Sequence, residues 1–74
     1  MFGSKREKQE RLDQIVATLE QHPDGLLQSE IARLIGCERS TVYRDLVTLH
    51  ERGVLLSEDS QGWISLFRLP PQNH

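Results

Sequence analysis

The 74-residue chain carries nine Lys and Arg against eleven Asp and Glu, a formal net charge of −2, and is long enough for one small domain with a compact core. Its apolar runs fall far short of the roughly 20 residues of a membrane-spanning helix, and its amino terminus lacks the apolar segment of a secretory signal. The single cysteine excludes an internal disulfide, which fits a cytoplasmic protein.

The first predicted helix covers residues 5–21. Its apolar stripe, spaced at i, i+3, i+4 and i+7, begins at Leu12 and ends at Leu19. The turn before Leu12 is therefore predicted to have nothing to bury. Its basic residues are candidates for contacts with backbone phosphate, or else form a solvated face that pairs with Glu7 and Glu10: Lys5, Arg6, Lys8 and Arg11.

Two further helices follow the turn at residues 22–25, which Pro and Gly mark clearly. The second helix is predicted over Gln28–Ile35, and Gly36 suits the left-handed residue that ends a helix. The third is predicted over about Arg39–Glu51, with Gly53 after its end. The predicted core positions of these two helices are Ile31, Ala32, Ile35, Val42, Leu46 and Leu49.

The carboxy-terminal part of the chain changes to β-favouring runs. Residues 54–58 and 63–67 are predicted strands, separated by Asp-Ser-Gln-Gly, the composition of a hairpin turn. Trp63 and Phe67 are predicted to pack their shared strand face against the core. The predicted fold is mainly α with a small β-hairpin, a winged helix-turn-helix of three helices and a two- or three-stranded antiparallel wing. We expect it to cover residues 1–69, with a Pro-containing flexible tail or linker at 70–74.

Two helices joined by a three-residue turn that contains Gly form a helix-turn-helix unit, whose second helix enters the DNA major groove. The first two turns of the third helix offer the side chains that such a contact requires, since guanidinium matches the acceptors of guanine and hydroxyls bond phosphate or base edges. The candidates are Arg39, Ser40, Thr41, Tyr43 and Arg44. Thr41 is equally suited to a structural role in the turn, and Arg44 could instead pair with Asp45 or Glu51 at the surface.

The segment GLLQSEIARLIGCERSTVYRDLVTLHERGVL resembles the winged helix-turn-helix of DeoR-type repressors, and more closely the amino-terminal domain of bacterial WYL-domain regulators. The resemblance extends over roughly residues 10–67, and its most specific part is RSTVYRDLVTL. It implies that Arg39, Ser40, Tyr43 and Arg44 face double-stranded DNA, and that the functional protein is a homodimer. The resemblance also implies that such a domain begins a longer, effector-binding chain. Where the family often has a capping Ser or Thr, this chain has Leu27 and Glu38.

Other classes of function have less support in the sequence. The three histidines are far apart and have no ligand-spaced neighbours, so no zinc site is predicted. The sequence shows no nucleophile with a histidine partner, no paired carboxylates and no phosphate-binding glycine loop, so an enzyme is not predicted. No cofactor or small-molecule site is expected. The alternative is a winged-helix module that binds protein, for which the evidence is the negative net charge, the acidic residues 57–60 and an exposed position for Leu34. Cys37 is predicted to be a small buried hydrophobe.

Overall fold

The computed structural model describes residues 4–67, of which residues 4 and 5 are described for their backbone only. Three helices are followed by a hairpin of two short strands, which confirms the predicted winged helix-turn-helix. The bounds are α1 Ser4–Gln21, α2 Gln28–Ile35, α3 Arg39–Glu51, β1 Leu56–Glu58 and β2 Ile64–Leu66. The predicted domain end at residue 69 and the Pro-containing tail lie outside the described residues.

The core forms where the apolar stripes of the three helices meet beneath the wing. Its buried side chains come from every element except β1: Leu12, Ile15, Leu19, Leu26, Ile31, Ala32, Val42, Leu46, Leu49 and Ile64. The helical periodicity in the sequence therefore predicted most of the core, although Ile35 is only partly buried against it. Within residues 4–67, none of the helices has the length and apolar character needed to cross a membrane.

The start of α2 lacks a capping hydroxyl, as the sequence indicated, and Glu30 compensates. Its carboxylate accepts a hydrogen bond of 3.0 Å from the backbone N–H of Leu27, which has no side-chain acceptor of its own. At the other end, Gly36 adopts a left-handed backbone with φ 87°, and its N–H donates to the carbonyl of Ala32 at 2.8 Å. Gly36 ends α2 sharply, so that α3 can begin only three residues later.

The wing is joined to the helices through its second strand. β1 and β2 are antiparallel, with Leu56 opposite Leu66. The single residue Leu26 bridges to Ile64 through two backbone hydrogen bonds of 2.8 Å. This bridge replaces the third strand that the sequence left open, and it directs Ile64 into the core, where it is 3% exposed.

The prediction that Trp63 and Phe67 pack into the core is wrong. Side chains alternate across a strand, and because Ile64 faces the helices, the residues that flank β2, Trp63 and Phe67, are on its outward face. Phe67 is 49% exposed, and Trp63 is half-buried. Phe67 lies opposite Leu55, to whose carbonyl its N–H donates at 3.0 Å. The β-forming aromatic residues favoured burial of the face that carries Trp63 and Phe67. The bridge between Leu26 and Ile64 buries the other face of β2 instead.

The wing tip is closed by one of its own acidic side chains. The Asp59 carboxylate accepts hydrogen bonds from the backbone N–H groups of Gln61 at 2.9 Å and Trp63 at 3.0 Å. This is the turn-forming habit of Asp, whose side chain bonds backbone groups further along the chain. Asp59 therefore has a structural role, whereas the neighbouring Glu58 has no recorded bond among the described residues.

Candidate nucleic-acid interface

The outer face of α3 carries four of the five predicted DNA-contacting residues together. Arg39, Ser40, Tyr43 and Arg44 are all exposed and line one open surface groove together with Gln28, the first residue of α2. The helical repeat places Ser40, Tyr43 and Arg44 on the side of α3 away from its buried stripe, and Arg39 is exposed as the first residue of the helix. The fifth predicted residue, Thr41, is half-buried and does not line this groove.

The two arginines of this face have no acidic partner among the described residues. The ion pairs recorded for residues 6–67 involve neither Arg39 nor Arg44. The alternative in which Arg44 pairs with Asp45 is wrong, because Asp45 is fully buried on the opposite side of α3. Two guanidinium groups are therefore free to meet an anion or a polar base edge from outside.

Gln28 is a member of this surface that sequence reasoning missed. It lines the groove with Arg39 and Arg44, a second groove toward the wing, and a third beside Tyr43. No sequence pattern distinguishes a glutamine at the start of a helix, so only the crossing of α2 and α3 reveals its position. Its side chain offers both donors and an acceptor at the edge of the candidate interface.

The wing contributes a negative charge to the same side of the molecule. Glu58, the last residue of β1, lines the groove that Arg39 and Gln28 share with the wing. It also lines the groove between α3 and β1, beside Tyr43 and Val47. The acidic wing is thus beside α3, close to the side chains that would meet DNA.

The basic residues of α1 are divided between two environments. Arg6 is exposed and pairs with Glu10 at 3.8 Å along the helix, and the side chain of Lys5 lies outside the described residues. Lys8 and Arg11 reach instead to Asp45 of α3. The Lys8 Nζ donates to Asp45 Oδ1 at 3.3 Å, and the Arg11 Nη2 donates to the same oxygen at 3.1 Å.

The Arg11 Nε also donates to Asp45 Oδ2, so the guanidinium binds the carboxylate through both of its oxygens. The prediction that the first turns of α1 have nothing to bury is therefore wrong from Lys8 onward. A further link joins α1 to the residue that follows α3, because the Arg52 Nη1 donates to Gln9 Oε1 at 2.7 Å. The sequence predicted that Lys8 could contact a phosphate, but in the structure its ammonium group binds Asp45.

Burial and the two cations act on Asp45 in opposite directions. Burial by itself would raise the pKa of Asp45, but the hydrogen bonds and charges of Arg11 and Lys8 outweigh it and hold that pKa below its ordinary value. The hydrogen bond with Asp45 raises the pKa of Arg11, against the effect of burial. Asp45 is thus an ionised, fully buried carboxylate that is neutralised from α1.

A sequence signal for this buried cluster did exist. Asp45 follows Val42 by three residues and precedes Leu49 by four, which places a carboxylate on the buried stripe of α3. Arg11 precedes Ile15 by four on the stripe of α1. An acid and a base, each on a face that must be buried, indicate a pair, because an isolated buried charge is costly.

Cys37 is the remaining polar candidate, and its surroundings favour a structural role. Cys37, in the turn between α2 and α3, is half-buried against the core, and burial, aided by Asp45 and Glu38, raises the pKa of its thiol. A raised pKa makes a thiol less reactive.

Leu34 is 56% exposed on α2, as expected. Within the described residues, no three His, Cys, Asp or Glu side chains are grouped to hold a metal ion.

Comparison with known proteins adds a family relationship to this geometry. The family model of the IclR helix-turn-helix domain matches residues 10–59. The HTH-type transcriptional regulator Rv1719 of Mycobacterium tuberculosis (strain ATCC 25618 / H37Rv) is 37% identical over 62 residues, which are 84% of this chain and 23% of the relative. The chain thus spans about a quarter of the length of that relative. No solved structure matches the chain significantly.

Proposed function

This chain belongs to the family of IclR helix-turn-helix domains, and on that basis we propose that it is the sequence-specific DNA-binding domain of a transcriptional regulator, with α3 in the major groove. The observation that carries this proposal is the outer face of α3. Four exposed polar side chains meet there, and its two arginines have no acidic partner among the described residues. In this arrangement side chains of the first two turns of α3 contact base edges. The proposed contacts are Arg39, Ser40, Tyr43 and Arg44.

The charge of −2 is compatible with this role because affinity depends on the local field. Asp45 is more than balanced by Lys8 and Arg11, so its buried carboxylate adds no negative potential over α3. The groove that would approach DNA is lined instead by two free arginines, and Glu58 lines the neighbouring groove toward the wing. Phosphate is thus attracted by the helix and repelled by the wing.

Contacts with the DNA backbone are proposed at a second place, the start of α1. Arg6 is exposed, and its pairing with Glu10 at 3.8 Å is of the weak, solvent-screened kind that phosphate can displace. Lys5 precedes it in the same turn. Lys8 is a weaker candidate than the sequence suggested, since a phosphate would have to compete with the buried Asp45 for its ammonium group.

We further propose that the functional protein is a cytoplasmic homodimer. One domain of this size contacts one half-site, and so few phosphate contacts give weak affinity at physiological salt. Two copies would bind half-sites about one helical turn apart. The finer resemblance to DeoR-type repressors and WYL-domain regulators, whose most specific part is RSTVYRDLVTL, stays a proposal within this function.

A second candidate function is supported by the exposed apolar residues. Leu34, Leu55 and Phe67 are between 49% and 56% exposed, and exposed apolar groups can mark a protein-binding surface. A winged-helix module that binds protein would use such residues and would leave the arginines of α3 without a role. The two functions therefore make opposite predictions for the loss of those arginines.

The test begins with selection of duplexes from a random pool by the purified chain at low salt. The Arg39→Ala/Arg44→Ala variant should lose at least about 30-fold in affinity for the selected duplex, because each base contact by arginine contributes roughly 1–3 kcal/mol. Arg33→Ala is the matched control, since Arg33 is an exposed arginine of α2 that lines no groove described beside α3. If no sequence is enriched, DNA reading is rejected in favour of the protein-binding module.

The oligomeric proposal has a separate measurement. Sedimentation with and without the selected duplex should give two chains per DNA molecule, and shortening the duplex to one half-site should weaken binding strongly. A monomer that binds a single half-site with nanomolar affinity would overturn the homodimer and leave DNA binding intact.

A further inference from the structure

Val47 extends the outer face of α3 by one more turn. It follows Arg44 by three residues and Tyr43 by four, the spacings of neighbours on one helix face. Its side chain is 40% exposed, whereas Leu46 and Leu49, on either side of it in the sequence, are 8% and 4% exposed. Val47 therefore lies outside the core, and an aliphatic residue continues a face that is otherwise polar.

The surroundings of Val47 form an apolar groove beside the arginines. Tyr43 and Val47 line it from α3, and Leu56 lines it from the wing together with the acidic Glu58. The groove that holds Arg39 and Arg44 adjoins it through Tyr43, which lines both. A ligand that spans the two grooves would therefore meet the arginines in one and apolar surface in the other.

Major-groove DNA has groups that suit both grooves. Its phosphates are anionic, and the C5-methyl group of thymine is the apolar feature that base pairs present in the major groove. Along the helix axis, Val47 lies about 4.5 Å beyond Arg44, at about 1.5 Å per residue. The spacing of successive bases of one strand is similar, roughly 3.4 Å, so on a helix that follows the groove the two side chains would meet bases one or two steps apart.

We propose that Val47 packs against the methyl group of a thymine and makes that base a specificity determinant. The proposal rests on the proposed function, with α3 in the major groove. It adds that the preferred sequence contains a thymine within two base pairs of the base that Arg44 contacts. Tyr43 and Leu56 would enclose the methyl group from the sides, which removes its surface from water.

The proposal is tested by replacing the thymidines of the selected duplex with deoxyuridine one at a time. Each replacement removes only the methyl group. For the unchanged chain, one such replacement near the Arg44 base should weaken binding about four-fold, the value expected for one buried methyl-sized group. For Val47→Ala, the thymidine and deoxyuridine duplexes should bind equally at that position. Val47→Thr, which keeps one methyl group, should retain part of the preference.

Leu55→Ala provides the matched control, since Leu55 is an aliphatic residue of similar exposure, 50%, that lines no groove described beside α3. It should keep the full thymidine preference. The proposal is overturned if Val47→Ala keeps that preference, or if no replacement by deoxyuridine weakens the specific complex. Either result leaves DNA binding through Arg39 and Arg44 standing, whereas a chain that selects no duplex at all refutes the proposed function itself.

Discussion

The two faces of α3 use charged residues in opposite ways. On the inner face, Asp45 is completely buried and is held by Arg11 and Lys8 of α1. On the outer face, Arg39 and Arg44 are exposed and have no acidic partner among the described residues. The inner charges join two helices, whereas the outer charges are available to a ligand.

This contrast shows why counting charges is a poor guide to the role of a small domain. The basic cluster at the start of α1 and the arginines of α3 look alike in the sequence. A buried carboxylate engages two members of the first cluster and none of the second. The availability of a cation to DNA depends on whether the fold already supplies it with an anion.

The inner face should give the largest effect on stability. Arg11→Met leaves Asp45 buried with Lys8 as its remaining partner, and we expect a loss of about 3 kcal/mol in the free energy of unfolding, measured by urea denaturation. Asp45→Asn should cost less, because Arg11 and Lys8 are partly exposed and can be hydrated. Arg6→Ala, which breaks the exposed pair with Glu10, is the control and should change little. Equal stability of Arg11→Met and Arg6→Ala would erase the difference between the two kinds of charge.

The outer face should give the largest effect on recognition. Arg44→Ala should lower affinity for the selected duplex by about one to two decades, since a bidentate contact with guanine contributes roughly 1–3 kcal/mol, and should leave the unfolding midpoint unchanged. Arg44→Lys should restore attraction to phosphate without the discrimination, because Lys lacks the planar fork. Glu51→Ala, two turns later on α3, is the control. Equal losses on selected and scrambled duplexes would make Arg44 a phosphate contact.

Acid should remove the stability that Asp45 contributes on the inner face of α3. Because the folded-state pKa of Asp45 is lowered, the stability it contributes is present above its unfolded pKa, near 3.9. That stability is lost as the pH falls through the folded value. Thermal melting below pH 4 should therefore decline more steeply for the unchanged chain than for Asp45→Asn, by at most about 1.4 kcal/mol per pH unit. Parallel declines of the two proteins would show that Asp45 is not ionised in the fold.

The smallest expected effect concerns the acidic residue beside the outer face. Glu58→Lys should strengthen binding to random DNA at low salt and increase the salt dependence by about one counterion. Asp24→Lys, an equal change of charge at an exposed residue away from the grooves described beside α3, should do neither. Asp59 is unsuitable for this test, because its carboxylate closes the wing turn. Unchanged binding by Glu58→Lys would mean that the wing tip stands away from DNA.

Local patterns predicted the fold well, and tertiary contacts account for what they missed. The bounds of α2 and α3 followed from the periodicity and from Gly36, which act within a few residues of the chain. The outward position of Phe67 did not, because the bridge between Leu26 and Ile64 joins distant parts of the chain and selects the buried face of β2. The candidate DNA face was predictable for the same reason as the helices. Gln28 was missed because its neighbours come from another helix and the wing. Val47 has the helical spacing of Tyr43 and Arg44, but its exposure depends on how α3 packs in the fold.

The three-residue cluster of Lys8, Arg11 and Asp45 also shapes how this sequence can change. Loss of one member leaves a charge without its partner, whereas joint replacement of a buried pair by apolar residues of similar volume is often neutral or stabilising. Substitutions at positions 11 and 45 should therefore survive mainly in combination, as correlated changes in a mutational library. Positions 39, 43, 44 and 47, on the other face, are free to vary one at a time. A library confined to those four could alter the preferred DNA sequence without disturbing the scaffold.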